Sequence, residues 1–539
     1  MHNEQNRAAV SRRRRLMPAW ALAAAWLSAL WIQEGAGGER GVVPPYETEK
    51  WSVPENAVDV EVLAALRKRG ISPARPCSDE VFLRRVYVDL IGTLPEPAEA
   101  QEFLKDSRPG KRAALIEALM QREEFNDYWA LKWCDLLRVK SEFPINLWPN
   151  AVQAYHRWIR DAVRENRPLD RMARELLTAS GSNFRVPPVN FYRAIQERTP
   201  RGIAEAVALT FMGVREEGLT EEQWAGMAGF FKRVAYKKTQ EWKEEVVMLD
   251  PAVNTAQTAV FPDGKTVEIP AEQDPRRVFA DWLTAAENPW LARNFANRAW
   301  SWFFGRGVIH EPDDIRLNNP PGNPALLALL EKELVRAKYD LRQLFRLILN
   351  SRTYQQSSLP RSEHAEAAAF FARYPARRMD AEVLFDALCR ITGTEQEYSS
   401  PIPEPFTFLP HDQRAIALAD GSIGCPFLEA FGRPTRDTGL ESERNNQTGE
   451  AQLLQLLNSS DLQRRIERGP RLHKVIKDSQ WKRGEAIQRL YLLILSRRPT
   501  AGEAAAAEKY FGASKLGFKQ AADDLVWALL NSKEFLSRH

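Results

Sequence analysis

From Val58 onward, apolar side chains return every three or four residues almost throughout. Val58, Val62, Leu63 and Leu66 fall on one face, and Phe82, Val86, Tyr87 and Leu90 on another. Only a helix, with its period near 3.6, gathers such positions into one stripe that a core can bury. The pattern recurs over 113–125, 127–139, 151–166, 169–179, 203–211 and 221–234, then over 280–286, 291–304, 324–337, 341–350 and 376–392. One stretch departs from it. Residues 258–261 and 266–269 are short β-favouring runs around Pro262-Asp263-Gly264-Lys265, a hairpin signal. Pro270 and Pro275 then bracket a fresh helical start at Arg276, and residues 395–450 are irregular and rich in Pro and Gly.

The expected fold is therefore mainly α: a multi-helical two-domain protein with a small β-hairpin near the domain junction. The expected divisions are 1–38 (signal peptide or N-terminal anchor), 39–57 (linker), 58–250 (helical domain), 251–275 (hairpin linker), 276–475 (second helical domain) and 476–539 (C-terminal helical module). That last module resembles residues 84–125. Arg85-Val86-Tyr87, Pro95 and Glu99 match Arg489-Leu490-Tyr491, Pro499 and Glu503 at a constant offset of 404. Ala118-Leu119-Met120 with Glu124-Phe125 matches Ala528-Leu529-Leu530 with Glu534-Phe535 at 410. Each copy reads as a helix, a Pro turn, a second helix and a third ending in an acidic-Phe pair. Thr500 and Glu503 have capping-box spacing. A repeat of this kind is a packing unit, and function has to be sought elsewhere.

Residues 16–32 are apolar apart from Ser28, follow Arg12 to Arg15, and precede the small residues 35–38. That order is the order of a secretory signal, with a single membrane anchor as the alternative. The formal net charge is +4, of which the leader holds +3 (five arginines against Glu4 and Glu34), leaving +1 for the body. A nearly neutral body argues against nucleic-acid binding through bulk charge. The expected location is extracytoplasmic (periplasmic, secreted or cell-surface), with membrane contact only through residues 16–32 if they are retained. Export permits disulfides. Cys77 and Cys134 in one half and Cys389 and Cys425 in the other either form one bridge each or stay as buried thiols.

Strong catalytic signatures are absent from the sequence: it has no paired Cys-x-x-Cys, no His-Glu-x-x-His, no phosphate loop and no Gly-x-Ser-x-Gly. No cofactor and no metal site is expected. Two polar clusters stand out. In the first, Asn297 and Arg298 edge a helix whose apolar face carries Phe295, Trp302 and Phe303, and His310, Glu311, Asp313 and Asp314 follow on the next loop. His310, Asp313 and Asp314 are the catalytic candidates. The opposing reading is an acidic pair caught by Arg298 or Arg316. In the second, Arg436, Asp437, Arg444, Asn445 and Asn446 lie in a loop before an apolar helix. Together with Asn297 and Arg298 these are the ligand-binding candidates. Forked arginines there suit a sugar or a sulfate, or else clamp neighbouring carbonyls and helix ends. Trp148 and Trp290, read as loop residues, are candidates to stack on a sugar ring.

Leu83-Arg84-Arg85-Val86-Tyr87-Val88-Asp89-Leu90-Ile91-Gly92-Thr93-Leu94-Pro95, with Trp133-Cys134-Asp135-Leu136-Leu137, resembles the opening of a secreted planctomycete cytochrome-associated domain of unknown function. Asn297-Arg298-Ala299-Trp300, Phe304-Gly305-Arg306-Gly307, Asn350-Ser351-Arg352-Thr353-Tyr354 and Arg377-Arg378-Met379-Asp380-Ala381-Glu382 resemble the domain that usually follows it. The resemblance covers about residues 60–475. It implies export and a large helical body, sometimes fused to cytochrome-type or carbohydrate-associated modules, and no established reaction. Many relatives carry a Cys-x-x-Cys-His segment where this chain has Thr210-Phe211-Met212-Gly213-Val214-Arg215, without cysteine or histidine. Covalent haem needs both, so electron transfer is not expected here. The reading that remains is an exported binding or assembly component in surface polysaccharide handling, with a carbohydrate or protein partner. The alternative is a hydrolase-like extracytoplasmic enzyme with an Arg/Asp/Asn/His cleft in the second domain.

Overall fold

Helix Asp79–Ile91 shows how local chemistry sets the frame. The Ser78 hydroxyl accepts the Val81 amide at its start, and Gly92 ends it in the left-handed region at φ 59°. A Cβ at Gly92 would lie 2.6 Å from Tyr128 Cδ2, so glycine is required there for space as well as for backbone. Tyr128 belongs to helix Glu123–Leu136, which is buried over most of its circumference. A computed structural model describes residues 41–447, 449–513 and 517–539. The leader, including residues 16–32, lies outside the described residues. Among those described, no helix is long and apolar enough to cross a membrane.

The architecture is mainly α with small sheets. The expected hairpin is present, with strands Gln257–Val260 and Thr266–Ile269 antiparallel and Gln257 opposite Ile269. A three-stranded sheet was not foreseen. Glu245–Leu249 lies between Gly181–Ser182 and Val234–Lys238, antiparallel to both. The helix read over 221–234 accordingly stops at Ala228, and the chain enters the sheet at Val234. The helix read over 376–392 begins only at Ala381, because Arg377–Arg378 pairs with Ser537–Arg538 near the end of the chain.

The two halves share one apolar core. Trp129 of the first half packs at ring-centroid distances of 4.3 Å on Phe345 and 5.2 Å on Trp302, and Trp133 stacks on Phe295 at 5.2 Å. The two related modules also meet: Arg84 in the first donates to the carbonyls of Ile494 (2.9 Å) and Phe535 (2.8 Å) in the second. In the second module the Thr500 amide donates to Glu503 at 2.7 Å, and the Glu503 amide donates to the Thr500 hydroxyl at 3.2 Å. The Glu96 amide donates to Glu99 at 2.7 Å in the first. Residues 41–56 lie against the body rather than hanging free. Thr48 donates to the Pro76 carbonyl, and the Tyr46 hydroxyl donates to Glu534. All four cysteines are free thiols.

Candidate functional site

Along helix Glu123–Leu136 the polar side chains Tyr128, Lys132 and Asp135 follow at spacings of four and three, so they share one face. That face meets Asp380, which stands at the start of helix Ala381–Thr392. The Asp380 carboxylate accepts from the Tyr128 hydroxyl (2.8 Å), Lys132 Nζ (2.9 Å) and Asn446 Nδ2 (2.6 Å), and pairs with Arg538 at 2.7 Å. It is fully buried. Burial alone would raise its pKa, but Arg538, Lys132 and Arg444 together hold it well below the usual carboxylate range. Burial, with Arg444 nearby, lowers the Lys132 pKa against the pull of Asp380.

The network spreads from there. Arg444 bonds Glu382 at 2.7 Å and Asp135 at 2.6 Å, and Asp135 also takes Arg436 Nε at 2.9 Å. Asp89, fully buried, accepts from the hydroxyls of Tyr374 (2.7 Å) and Tyr354 (3.0 Å) and from Arg538 (3.1 Å). Groups of both halves and of the last strand are thus locked into one buried array. An open cavity of about 400 Å³ lies over it. Lys132, Arg377, Arg444 and Arg538 form its floor, with Asp380 among them, and Trp302 lies beside them. His310, Glu311 and Glu441 contribute the rim, with Asn445, Asn446 and Gln447 alongside.

The structure thus brings five of the sequence candidates to one place: His310, Arg444, Asn445, Asn446 and, through its contacts, Asp313. His310 is exposed, and its ring makes no hydrogen bond among the described residues. Burial of part of the ring, with Arg306 close by, lowers its pKa against the pull of Glu311. Asp313 is buried, bound by Arg215, and accepts the Glu441 amide at 2.7 Å, so it braces the rim without opening onto the cavity. Asp314 pairs instead with Arg316 at 3.1 Å and takes Asn319. The remaining candidates are structural in their contacts. Asn297 is fully buried and bonds Ile309 in both directions at 2.9 Å, which shapes the loop that carries His310. Arg298 holds Asn294 at 3.0 Å and Glu441 at 3.3 Å. Arg436 clamps Asp135 and the Ala419 carbonyl, and Asp437 pairs with Lys140 at 2.6 Å, away from the cavity.

Lys132, Arg377, Asp380 and Arg538 were not picked out as site residues from the sequence. The spacing of Tyr128, Lys132 and Asp135 on an otherwise buried helix was the available signal. Trp290 is not a loop residue: it lies in the first turn of helix Pro289–Phe304, packed against the core. Trp148 meets Trp242 at 4.6 Å and Phe406 at 5.7 Å on the surface. In the stretch Thr210-Phe211-Met212-Gly213-Val214-Arg215, the Thr210 carbonyl is held by Asn294 at 2.9 Å, and a Cβ at Gly213 would meet Asn294 Oδ1 at 2.7 Å. Among the described residues no group of three or more His, Cys, Asp or Glu is placed to hold a metal ion.

Fold and site together define a two-domain helical protein whose halves are joined by a buried charged array beneath a polar cavity. Residues 57–251 match the PSCyt2 family, a protein of unknown function (DUF1549), and residues 275–511 match the PSD1 family, a protein of unknown function (DUF1553). The chain therefore carries the ordered pair of PSCyt2 and PSD1 domains. The second match runs past residue 475 into the C-terminal module. No curated protein and no solved structure matches the chain.

Proposed function

We propose that this protein is an exported binding component of surface polysaccharide handling, and that the cavity between its halves holds a glycan segment. The observation that carries the reading is the state of the carboxylates around the cavity. Asp380 already has four donors, Glu311 is bound to Arg215 and Glu441 to Arg298. Each of these carboxylates is thus engaged by a cation of the chain itself, whereas Asn445, Gln447 and Ser442 line a space of sugar size. Such an array is preorganised, so little ordering entropy opposes binding. A thermal-shift panel of neutral and acidic saccharides on the purified full chain tests this. A rise in melting temperature with at least one saccharide is expected, and no shift across the panel would refute it.

A second reading rests on one group. The His310 imidazole, which makes no hydrogen bond among the described residues and whose pKa burial lowers, lines the cavity, where it can act as a general base in a hydrolase-like reaction. Turnover of a glycan by the wild-type chain that His310→Gln abolishes, with saccharide binding retained, would favour it. Undiminished turnover in His310→Gln would exclude it.

A further inference from the structure

The ion pairs around the cavity form a closed set, and its charges do not balance. On the floor, Lys132, Arg377, Arg444 and Arg538 face the cavity, and Arg433 and Arg436 stand behind them on the same carboxylates. These six cations share four carboxylates, those of Asp89, Asp135, Asp380 and Glu382. The floor thus carries two positive charges in excess. Two further buried ions, of opposite sign, have no ion-pair partner among the described residues: Arg378, bonded to the carbonyls of Phe431 and Asn445, and Asp420, bonded to the amides of Ser141 and Ser422. The rim has the opposite bias. There, among the described residues, Glu311, Asp313 and Glu441 pair only with Arg215 and Arg298.

Position makes the imbalance matter. Lys132, Arg444 and Arg538 are 9 %, 6 % and 2 % exposed, so water screens their charge poorly. Among the described residues, Arg444 Nε and Arg538 Nε are buried donors with no hydrogen-bond partner. Leaving buried ions without full compensation is costly, and a counter-ion that enters the cavity removes that cost. Resting on the binding reading above, we infer that the ligand carries an anionic group, a carboxylate or a sulfate ester. It seats on the Lys132–Arg444–Arg538 floor, while the hydroxyl-bearing remainder of the ligand lies toward the rim. Guanidinium groups match the flat or tetrahedral oxygens of these anions with paired donors. The negative rim gives the ligand a direction, acid end first, and disfavours a polymer charged at every residue.

Calorimetric titration of the full chain with galactose, galacturonate and galactose 6-sulfate keeps the ring nearly constant and changes its charge. The acidic sugars are expected to bind about tenfold or more tighter than galactose, and only their binding is expected to weaken as sodium chloride is raised. Equal affinity for the neutral and acidic sugars would overturn the charge inference and leave the binding reading standing. No binding of any of the three, with the saccharide panel also silent, would remove both. Glu311→Gln removes a half-exposed rim charge without touching the core. It is expected to raise the affinity for galacturonate several-fold relative to that for galactose, and an unchanged ratio of the two would count against the charge inference. A Lys132→Met variant that folds is expected to show a preference for the acid reduced several-fold, and a preference equal to that of wild type would overturn the inference.

Discussion

Replacing Asp380 with asparagine keeps the size of the side chain and removes the charge on which the array converges. The carboxylate holds Tyr128, Lys132, Asn446 and Arg538 within 2.9 Å and is fully buried. Asparagine offers one acceptor oxygen in place of two and turns an amide donor toward cations or other donors. Breaking a buried ion pair from one side costs about 3–5 kcal/mol, because the partner left behind remains desolvated. With roughly 2–4 °C per kcal/mol for a large domain, the melting temperature should fall by roughly 6–20 °C. Scanning calorimetry of wild type, Asp380→Asn, Lys132→Met and the double variant separates charge from packing. The double variant should be less destabilised than the two single effects added, by about 1 kcal/mol or more. A fall of under about 2 °C for Asp380→Asn, or strict additivity, would refute the argument that compensation of charge holds this joint. Arg108→Ala serves as a control. Its own side chain is exposed where it pairs with Asp106, and the melting temperature should not move.

Other expectations follow from single contacts. Asp386 is buried, and burial pushes its pKa up to about 6 against the pull of Arg414 and the amides of Ala415 and Ile416. Its neutral form is therefore favoured in the fold. Its contribution is full below the unfolded carboxyl pKa and is lost as pH rises toward 6, by about 3 kcal/mol in all. The stability of wild type relative to Asp386→Asn, measured by denaturant titration, should fall between pH 4 and 7 and then level off. A rise would reverse the sign of the argument. Gly92→Ala places a Cβ against the Tyr128 ring at a positive φ, so a loss of about 2 kcal/mol or more is expected in the same assay, and a neutral result would contradict it. Thr500→Ala removes one cap and should cost about 1 kcal/mol, with saccharide binding unchanged.

The helical frame was legible because three- and four-residue spacing survives in nearly every segment, and the hairpin because Pro262-Asp263-Gly264-Lys265 admits little else. The sheet around Glu245–Leu249 was not. Its turn, Thr239-Gln240-Glu241-Trp242-Lys243-Glu244, has no glycine or proline, and Lys243 takes φ 62° without either. In the site, Arg444, Asn445 and Asn446 could be found because polar residues crowd an irregular segment before an apolar helix. The remainder depends on long-range pairing that spacing cannot reveal. Arg538 reaches Asp89 across 449 residues, and Lys132 reaches Asp380 across 248. Asp314 carries the right chemistry but is engaged locally by Arg316, and Arg436 is fully buried against Asp135, 301 residues away, behind the cavity rather than in it.

Hydrogen–deuterium exchange on the full chain, with and without galacturonate, addresses the cavity itself. Protection is predicted together in four separate segments, 128–135, 377–382, 441–447 and 537–539, because each supplies part of the same floor or rim. Protection confined to a different surface at saturating ligand would show that the anion is held elsewhere and that the charged joint is only a hinge pin of the fold.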